Sequence, residues 1–349
     1  MSIALSDIRL AQPQRRITPS THPQNRMTFS TDYRGRFAPS PTGPLHFGSL
    51  VAALGGYLDA KHHHGTWLVR MEDLDKPRCI PEAADDILRT LETYGLHWDE
   101  AVLYQSRRSP AYEDALQQLK DIGAVYPCSC TRKEIADSAL QGIEGPVYPG
   151  TCRNGIPAGR EARAWRVKTN IDTFARPEPV EGHSEYPAVH CSSFDKLRTN
   201  GSMITFDDAL QGHIAQDLER DIGDFVVKRA DGLFAYQLAV VVDDAMQGIT
   251  HIVRGADLLL STPRQIYLQK LLGLPTPEHW HLPIVVNAQG EKLSKQTLAH
   301  PIEKNKVSET LFAALEFLRQ QPPAELKSGK AEEILDWAIA HWRPGLILP

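Results

Sequence analysis

The stretch that most constrains this chain is a predicted strand, followed by a stiff loop and then by a predicted helix. Residues 34–38 have the composition of a short strand, and the loop PSPTGP over 39–44 contains three prolines and a glycine. A helix rich in Ala, Leu and Gly is predicted over 48–61. A strand that leads directly into a helix is the unit from which parallel sheets are built, so this stretch favours an α/β fold.

The same alternation continues along the chain. Helices are predicted over 81–94, 109–122 and 263–272, and strands over 66–71, 164–168, 203–206, 224–228, 235–242 and 281–286. The run over 235–242 is almost wholly apolar, which is typical of an inner strand of a parallel sheet. We therefore predict an α/β fold with a turn-rich middle region.

Composition excludes several classes of protein. The chain has 349 residues, 42% hydrophobic and 23% charged, which is ordinary for a globular protein and unlike a disordered or collagen-like chain. It contains no apolar run long enough to span a membrane, and five cysteines are too few for a disulfide scaffold. We expect a cytoplasmic monomer with reduced thiols. The net charge of −5 argues against a basic coat for nucleic acid but leaves room for a local basic face.

The first loop is suited to a phosphate. A helix is predicted to begin near His46, where free backbone N–H groups and the positive end of the helix dipole favour an anion. Gly48 allows a ligand to approach the backbone closely. A proline-rich turn with an incidental histidine would look the same, so this loop alone is weak evidence.

A second loop, GEKLSKQ over 290–296, carries two lysines around a serine. Lys292 and Lys295 are suited to neutralise a triphosphate, although a solvated surface loop has the same composition. Together, and in this order, the two loops resemble the paired HIGH and KMSKS signatures of class I aminoacyl-tRNA synthetases.

Longer strings narrow the resemblance. RFAPSPTGPLHFGSL over 36–50 resembles the glutamyl and glutaminyl branch of that class. Further support comes, in order, from RMEDLD at 70–75, DFVVKRADG at 224–232, AVVVDD at 239–244 and HIVRG at 251–255. The resemblance covers residues 33–300. It implies an α/β fold with a Rossmann-type parallel-sheet catalytic domain and an inserted zinc-binding, acceptor-stem-like α+β subdomain.

Within that branch the chain is most similar to truncated paralogues that attach glutamate to the queuosine base in the anticodon of tRNA(Asp). Few residues follow the lysine loop, so we expect no helical anticodon-binding region. Gln296 stands where full-length enzymes usually carry Arg, and Ser49 replaces the last His of the first signature. Serine cannot carry charge, so Ser49 could weaken ATP binding.

The resemblance implies a ligase that uses ATP and Mg²⁺ to activate L-glutamate as glutamyl-adenylate and then transfers glutamate to queuosine in tRNA(Asp). It implies catalytic roles for His46, Lys292 and Lys295, and ATP binding by His46, Gly48, Ser49, Lys292, Ser294 and Lys295. The implied glutamate-binding residues are Arg36, Phe37, Ala38, Pro39, Ser40, Glu72, Tyr236 and Arg254. Charge supports these roles, since an arginine binds a carboxylate well and a glutamate suits an α-ammonium group.

Three cysteines, Cys128, Cys130 and Cys152, lie close together in the sequence and match a tetrahedral structural zinc site. The resemblance implies Tyr148 as the fourth ligand of one Zn²⁺ ion. From the residues alone, the other candidates are Asp137, Glu144 and Cys191. Such an ion would stabilise a turn-rich region that lacks a large core.

The sequence predicts five regions. They are a disordered extension over 1–32, the first half of the catalytic domain over 33–126, a zinc-binding insert over 127–210 with an extra surface loop at 171–202, the second half over 211–300 with the lysine loop, and a short helical tail over 301–349. Met27 could be the true start. Candidate phosphate contacts in the insert are Arg132, Lys133, Arg153, Arg160, Arg163 and Arg166.

Two other functions remain open from the sequence. The chain could be a truncated synthetase that charges the 3′ end of a tRNA, or a catalytically silent tRNA-binding paralogue. The intact lysine loop argues against a silent protein, because a binding module does not need it.

Overall fold

The computed structural model describes residues 9–10, 33–138, 141–170, 202–287 and 300–348. The helices of these ranges are α1 Phe47–His62, α2 Ala83–Thr93, α3 Ser109–Asp121, α4 Arg132–Ser138, α5 Leu218–Asp221, α6 Tyr236–Met246, α7 Thr262–Leu272, α8 Val307–Phe317 and α9 Ala331–Ala340. The strands are β1 Arg9–Leu10, β2 Arg34–Phe37, β3 Thr66–Met71, β4 Leu103–Tyr104, β5 Val125–Cys128, β6 Gln141–Gly142, β7 Gly145–Pro146, β8 Ala164–Val167, β9 Met203–Asp208, β10 Gly212–Asp217, β11 Val226–Lys228, β12 His251–Gly255, β13 Glu278–Leu282 and β14 Val285–Val286.

Two sets of strands form the central, mostly parallel sheet. In one set β3 pairs in parallel with β2 and β4. In the other, β13 pairs in parallel with β12 and β9, and β10 adds an antiparallel edge next to β9. The sets meet where the N–H of Thr250, just before β12, donates to the carbonyl of Arg34 in β2 at 2.9 Å. The prediction of a parallel α/β fold is confirmed.

Helix α1 packs against this sheet through an apolar stripe. Leu50, Leu54 and Leu58 recur every four residues and are fully buried. Gly55 brings the helix unusually near β13, because a Cβ at that position would lie 2.7 Å from a methyl carbon of Leu282. This close packing fixes the N-terminus of α1 over the ends of the strands.

The strand predicted over 235–242 is wrong, because these residues belong to helix α6. Leu238 to Val241 are all buried, and a short apolar run that is buried on every side looks the same in a helix and in a parallel strand. The prediction over 281–286 was correct only in part. Strand β13 begins earlier, and Pro283, which has no N–H to donate, lies between β13 and β14.

A smaller antiparallel sheet, in the order β11-β8-β5, stands beside the hairpin β6–β7. Each of its strands places a valine in a large core, and a separate small cluster consists of Tyr126, Cys128, Tyr148 and Cys152. Two strands cross the region boundaries expected from sequence. β11 belongs to this smaller sheet, and β9, expected in the insert, pairs with β13 of the central sheet.

Helices α8 and α9 pack against α1 and complete the larger core through Leu311, Leu315 and Ile334. The indole N–H of Trp342 donates to Asp59 of α1 at 2.9 Å, and this buried carboxylate also accepts from the hydroxyl of Tyr33 at 2.6 Å. In the part of the chain that the structure describes, no helix is long and apolar enough to cross a membrane.

Candidate active site

A cleft of about 520 Å³ opens at one edge of the central sheet. Arg36 of β2, Glu72 just after β3, Arg254 of β12 and Leu282 of β13 all line it, so the carboxyl ends of four strands meet there. This is where open α/β sheets bind their ligands. All eight residues predicted to bind glutamate line the cleft, as do His46, Gly48 and Ser49.

The N-terminus of α1 forms one wall of the cleft. His46 caps the helix, with its Nδ1 accepting from the N–H of Ser49 at 3.2 Å. The Ser49 hydroxyl oxygen lies 3.1 Å from the Nε2 atom of the same ring, so this serine holds His46 in place. The positive end of a long helix dipole beside an imidazole makes this wall suitable for a phosphate.

A buried charge network lies under Arg36. The carboxylate of Asp244 accepts from Arg36 Nε at 3.0 Å and from Arg70 Nη1 at 2.7 Å. Burial alone would raise the pKa of Asp244, but the two arginines outweigh burial and hold that pKa below its usual range. Asp244 therefore stays ionised and fixes the Arg36 guanidinium.

Glu72 lines the cleft, and its ion pair within the described residues is long, with Arg70 Nη2 3.5 Å from Glu72 Oε1. Burial raises the pKa of Glu72, and the nearby Arg70 and Arg36 offset only part of that effect. A cation brought next to Glu72 would favour its ionised form. This carboxylate is thus available to an ammonium group.

Arg254 is a buried cation whose partners in the described residues are all uncharged. Its Nε donates to His281 Nε2 at 3.0 Å, and its Nη2 donates to Thr262 Oγ1 at 2.8 Å and Gln265 Oε1 at 2.9 Å. Its Nη1 has a longer contact, 3.5 Å, with the hydroxyl of Tyr236. Burial lowers the pKa of Arg254, and the nearby Tyr236, Asp244 and Glu72 offset only part of that effect. Such a site favours the binding of an anion.

Sequence reasoning missed two buried acids beneath the cleft. Asp243 and Asp244 directly follow the segment predicted as a strand over 235–242 and were not among the predicted site residues, yet both are buried in α6. Asp243 accepts from Gln105, Arg108 and Tyr112. Two adjacent acids inside an apolar run were the available signal, because buried carboxylates need partners.

The three predicted cysteine ligands come together beside the smaller sheet. Their sulfur atoms lie within 4.8 Å of one another, and Cys130 Sγ is 3.7 Å from Cys152 Sγ. Two thiolates on one tetrahedral zinc ion stand about 3.8 Å apart, given Zn–S bonds of about 2.3 Å. Burial raises the pKa of Cys152, but hydrogen bonds from the Ser129 backbone and from Tyr148 outweigh it and bring the pKa to about 7. The cluster fits a zinc ion.

Tyr148 is placed to complete this cluster. Its hydroxyl oxygen lies 3.3 Å from Cys128 Sγ and 3.5 Å from Cys130 Sγ. An oxygen and a sulfur on one tetrahedral zinc ion would be about 3.5 Å apart. The alternatives differ: Glu144 forms an ion pair with Arg264 at 2.6 Å, and Asp137 is not grouped with the thiols. Cys191 lies outside the described residues.

Three of the predicted phosphate contacts are engaged within the protein. Arg153 pairs with Asp224, and Arg160 pairs with Glu134 at 2.8 Å. Arg166 is buried, with its guanidinium 3.9 Å from the centre of the Tyr148 ring. These arginines stabilise the smaller sheet, and the prediction of a phosphate contact is wrong for Arg166, because its side chain is buried. Arg132, Lys133 and Arg163 are exposed.

Some predicted features fall outside the described residues. These are Lys292, Ser294, Lys295 and Gln296 of the lysine loop, residues 171–201 of the surface loop predicted over 171–202, and the N-terminal extension apart from β1, which pairs with β14.

Comparison with known proteins agrees with the family resemblance expected from the sequence. Residues 32–321 match the family model for tRNA synthetases class I (E and Q), catalytic domain. A glutamyl-Q tRNA(Asp) synthetase from Dechloromonas aromatica is 55% identical over 315 residues, which cover 90% of this chain and 95% of that protein. One from Chromobacterium violaceum is 54% identical over 310 residues, 89% of this chain and 93% of that protein. The chain belongs to the glutamyl-Q tRNA(Asp) synthetase family.

Solved structures show the shared fold of this synthetase family. A glutamate tRNA ligase from Elizabethkingia meningosepticum, crystallised in complex with its amino acid, superposes with a TM-score of 0.66 at 22% identity. The match covers 90% of this chain and 66% of the ligase. The glutamate–tRNA synthetase of Elizabethkingia anophelis gives a TM-score of 0.67, also at 22% identity, over 91% of this chain and 67% of that one.

Proposed function

We propose that the chain activates L-glutamate with ATP and transfers it to the queuosine base of tRNA(Asp). The observation that carries this proposal is the charge arrangement of the cleft. Arg254 and Glu72 line the same cavity, and in the part of the chain that the structure describes Arg254 has uncharged partners and Glu72 has one long ion pair. An amino acid with an ammonium group and two carboxylates complements both.

The first step needs no nucleophile from the protein. A carboxylate oxygen of glutamate attacks the α-phosphorus of ATP, and pyrophosphate leaves. Catalysis then consists of positioning the reactants and stabilising the phosphate charge. His46 and the N-terminus of α1 would bind phosphate oxygens, and Arg36 would bind a carboxylate. We assign the charge of the leaving pyrophosphate to Lys292 and Lys295, and Mg²⁺ would accompany ATP.

The second step is supported by the relatives. Proteins named for glutamyl-Q tRNA(Asp) match this chain at 50–55% identity, over 84–97% of their own lengths. In this step a hydroxyl of the modified base attacks the adenylate carbonyl and AMP leaves.

One Zn²⁺ ion would be held by Cys128, Cys130, Cys152 and Tyr148. Bound there, it would join the strand β5 to the loop that carries Tyr148 and Cys152. Its role is structural, because these four residues do not line the cleft.

The test is transfer of labelled glutamate. The full chain is incubated with ATP, Mg²⁺, labelled glutamate and tRNA from queuosine-replete or queuosine-free cells, and the label is located by nuclease digestion. We expect label in the anticodon fragment, only when queuosine is present. Label on the 3′ adenosine would instead indicate a synthetase that charges tRNA ends.

A second assay separates an enzyme from a silent binding protein. Exchange of pyrophosphate into ATP is measured with glutamate and no RNA. We expect exchange that depends on glutamate. Its absence, together with no label in either tRNA fragment, would reject adenylate formation.

A further inference from the structure

Two buried residues stand behind Arg254 and do not line the cleft. The side chains of Asp208 in β9 and His281 in β13 are both 0% exposed. They lie on adjacent parallel strands, and His281 contacts the guanidinium of Arg254, which lines the cleft. Nothing in the proposed chemistry uses them directly, so their burial needs another reason.

The hydrogen bonds of this pair determine which ring nitrogen of His281 carries the hydrogen. Asp208 Oδ2 lies 2.6 Å from His281 Nδ1, and Asp208 Oδ1 accepts from the backbone N–H groups of Leu210 at 3.0 Å and Gln211 at 2.9 Å. An ionised carboxylate can only accept, so His281 Nδ1 must carry the hydrogen. His281 Nε2 is then an acceptor, and it receives the Nε–H of Arg254.

The guanidinium is thereby held on two of its three nitrogens. Nε is fixed by His281, and Nη2 is fixed by Thr262 and Gln265. The amide of Gln265 is itself oriented, because its Nε2 donates to Gln237 Oε1 at 2.9 Å. The remaining nitrogen, Nη1, is on the side of Tyr236, which lines the cleft.

A histidine between aspartate and arginine has a physical advantage over a direct ion pair. A carboxylate placed on Arg254 would neutralise it and compete with the substrate. Neutral His281 orients the guanidinium while leaving its positive charge to an incoming anion, and Asp208 only sets the tautomer.

We propose that Asp208 and His281 are positioning residues that aim Arg254 at a carboxylate of glutamate. This inference rests on the proposed function, since it takes glutamate as the ligand of the cleft. It assigns the pair a role in glutamate affinity and none in ATP binding or in phosphoryl chemistry.

The experiment compares four variants of the full chain with the unmodified protein. His281→Phe removes the acceptor, whereas His281→Gln keeps an oxygen near the position of Nε2. Asp208→Asn presents an amide that can donate to His281 Nδ1, which moves the hydrogen to Nε2 and opposes Arg254. His279→Phe is the matched control, because His279 is a buried ring of the same strand that stacks on His281 without bonding to Arg254.

Glutamate dissociation constants are measured by calorimetry, and KM and kcat by pyrophosphate exchange. We expect His281→Phe and Asp208→Asn to raise Kd and KM for glutamate about 10- to 100-fold, with KM for ATP unchanged. His281→Gln should recover most of the affinity, and His279→Phe should bind glutamate normally. Thermal unfolding shows that each variant is folded.

Three results would overturn the inference. In the first, His281→Phe and His279→Phe weaken glutamate binding equally. In the second, glutamate and ATP affinity fall together. In the third, kcat falls while the glutamate Kd stays constant. A protein that binds no glutamate before any substitution would instead reject the proposed function.

Discussion

At the scale of single residues, the cleft depends on acids that never face the substrate. Asp244 joins Arg36 and Arg70 from two different strands, and it belongs to the helix that begins with Tyr236. One buried carboxylate therefore fixes Arg36, which we expect to bind a carboxylate of the substrate, relative to Tyr236 at the start of the same helix. Truncating such a group removes the carboxylate that two buried cations share, which is costly.

We predict that Asp244→Asn weakens both folding and substrate binding. The free energy of unfolding should fall by about 3 kcal/mol, because two buried arginines lose their shared partner. The glutamate KM should rise at the same time, because Arg36 is no longer held. Urea unfolding and pyrophosphate exchange measure the two effects.

Asp243→Asn is the control for this prediction. Asp243 is equally buried in the same helix, but its partners Gln105, Arg108 and Tyr112 do not line the cleft. This variant should lose stability and keep its glutamate KM. An equal rise of KM in both variants would contradict a specific role for Asp244.

At the scale of elements, prediction from sequence succeeded where a segment had a clear period or terminal residues. Strand β3 lies where it was expected, and α1, α2, α3 and α7 end within a few residues of their predicted limits. Prediction from sequence failed for α6, because the apolar run of this helix is buried on all sides and has no polar face to reveal the helical period.

The location of part of the candidate site could also be predicted from the sequence. The glutamate-binding set was expected from a resemblance, and the structure brings all eight residues to one cleft. Asp208 and His281 were not predicted, because their pairing depends on strands that are 73 residues apart. No local sequence pattern predicts a contact between residues so far apart in the chain.

The small buried cluster beside the smaller sheet is built around the expected zinc ligands. Four residues form this cluster, and three of them are the thiol and phenol groups assigned to zinc. Arg166 adds a cation beside the cluster, with its Nε 3.4 Å from Cys128 Sγ. Val125, Val167 and Val227 of the sheet itself are buried in a larger core, so metal binding would stabilise mainly the loop that carries Tyr148 and Cys152.

We predict one zinc ion per chain by elemental analysis. Cys152→Ser should reduce that content to near zero, because it removes a thiolate ligand, and Tyr148→Phe should weaken zinc retention against a competing chelator. Cys79→Ser is the control, since Cys79 lies apart from the cluster. Unchanged zinc retention in Tyr148→Phe would show that the fourth ligand is another group.

At the scale of the whole molecule, stability should depend on pH through buried histidine. Burial, Arg254 and His281 lower the pKa of His279 to about 3. In the unfolded chain an ordinary histidine has a pKa of about 6.5, so below that pH the unfolded state binds more protons than the folded state. Stability must then fall as the pH falls from about 6.5 towards 3.

We predict that this histidine contributes about 2 kcal/mol to the loss of stability between pH 7.5 and pH 5. His279→Phe should show a correspondingly smaller loss over the same interval. Urea unfolding of both proteins at the two pH values measures the difference. An equal loss of stability in the unmodified protein and in His279→Phe would mean that His279 is protonated in the folded protein or exposed to solvent.

The seam between β2 and β12 also has a consequence for synthesis on the ribosome. Thr250 and Arg34 are 216 residues apart, so one side of β2 has no neighbour until the later half of the chain emerges. At typical elongation rates that delay is about 10 to 40 s. During that interval the nascent chain exposes an unsatisfied strand edge, and a chaperone that shields it would raise the yield of native protein.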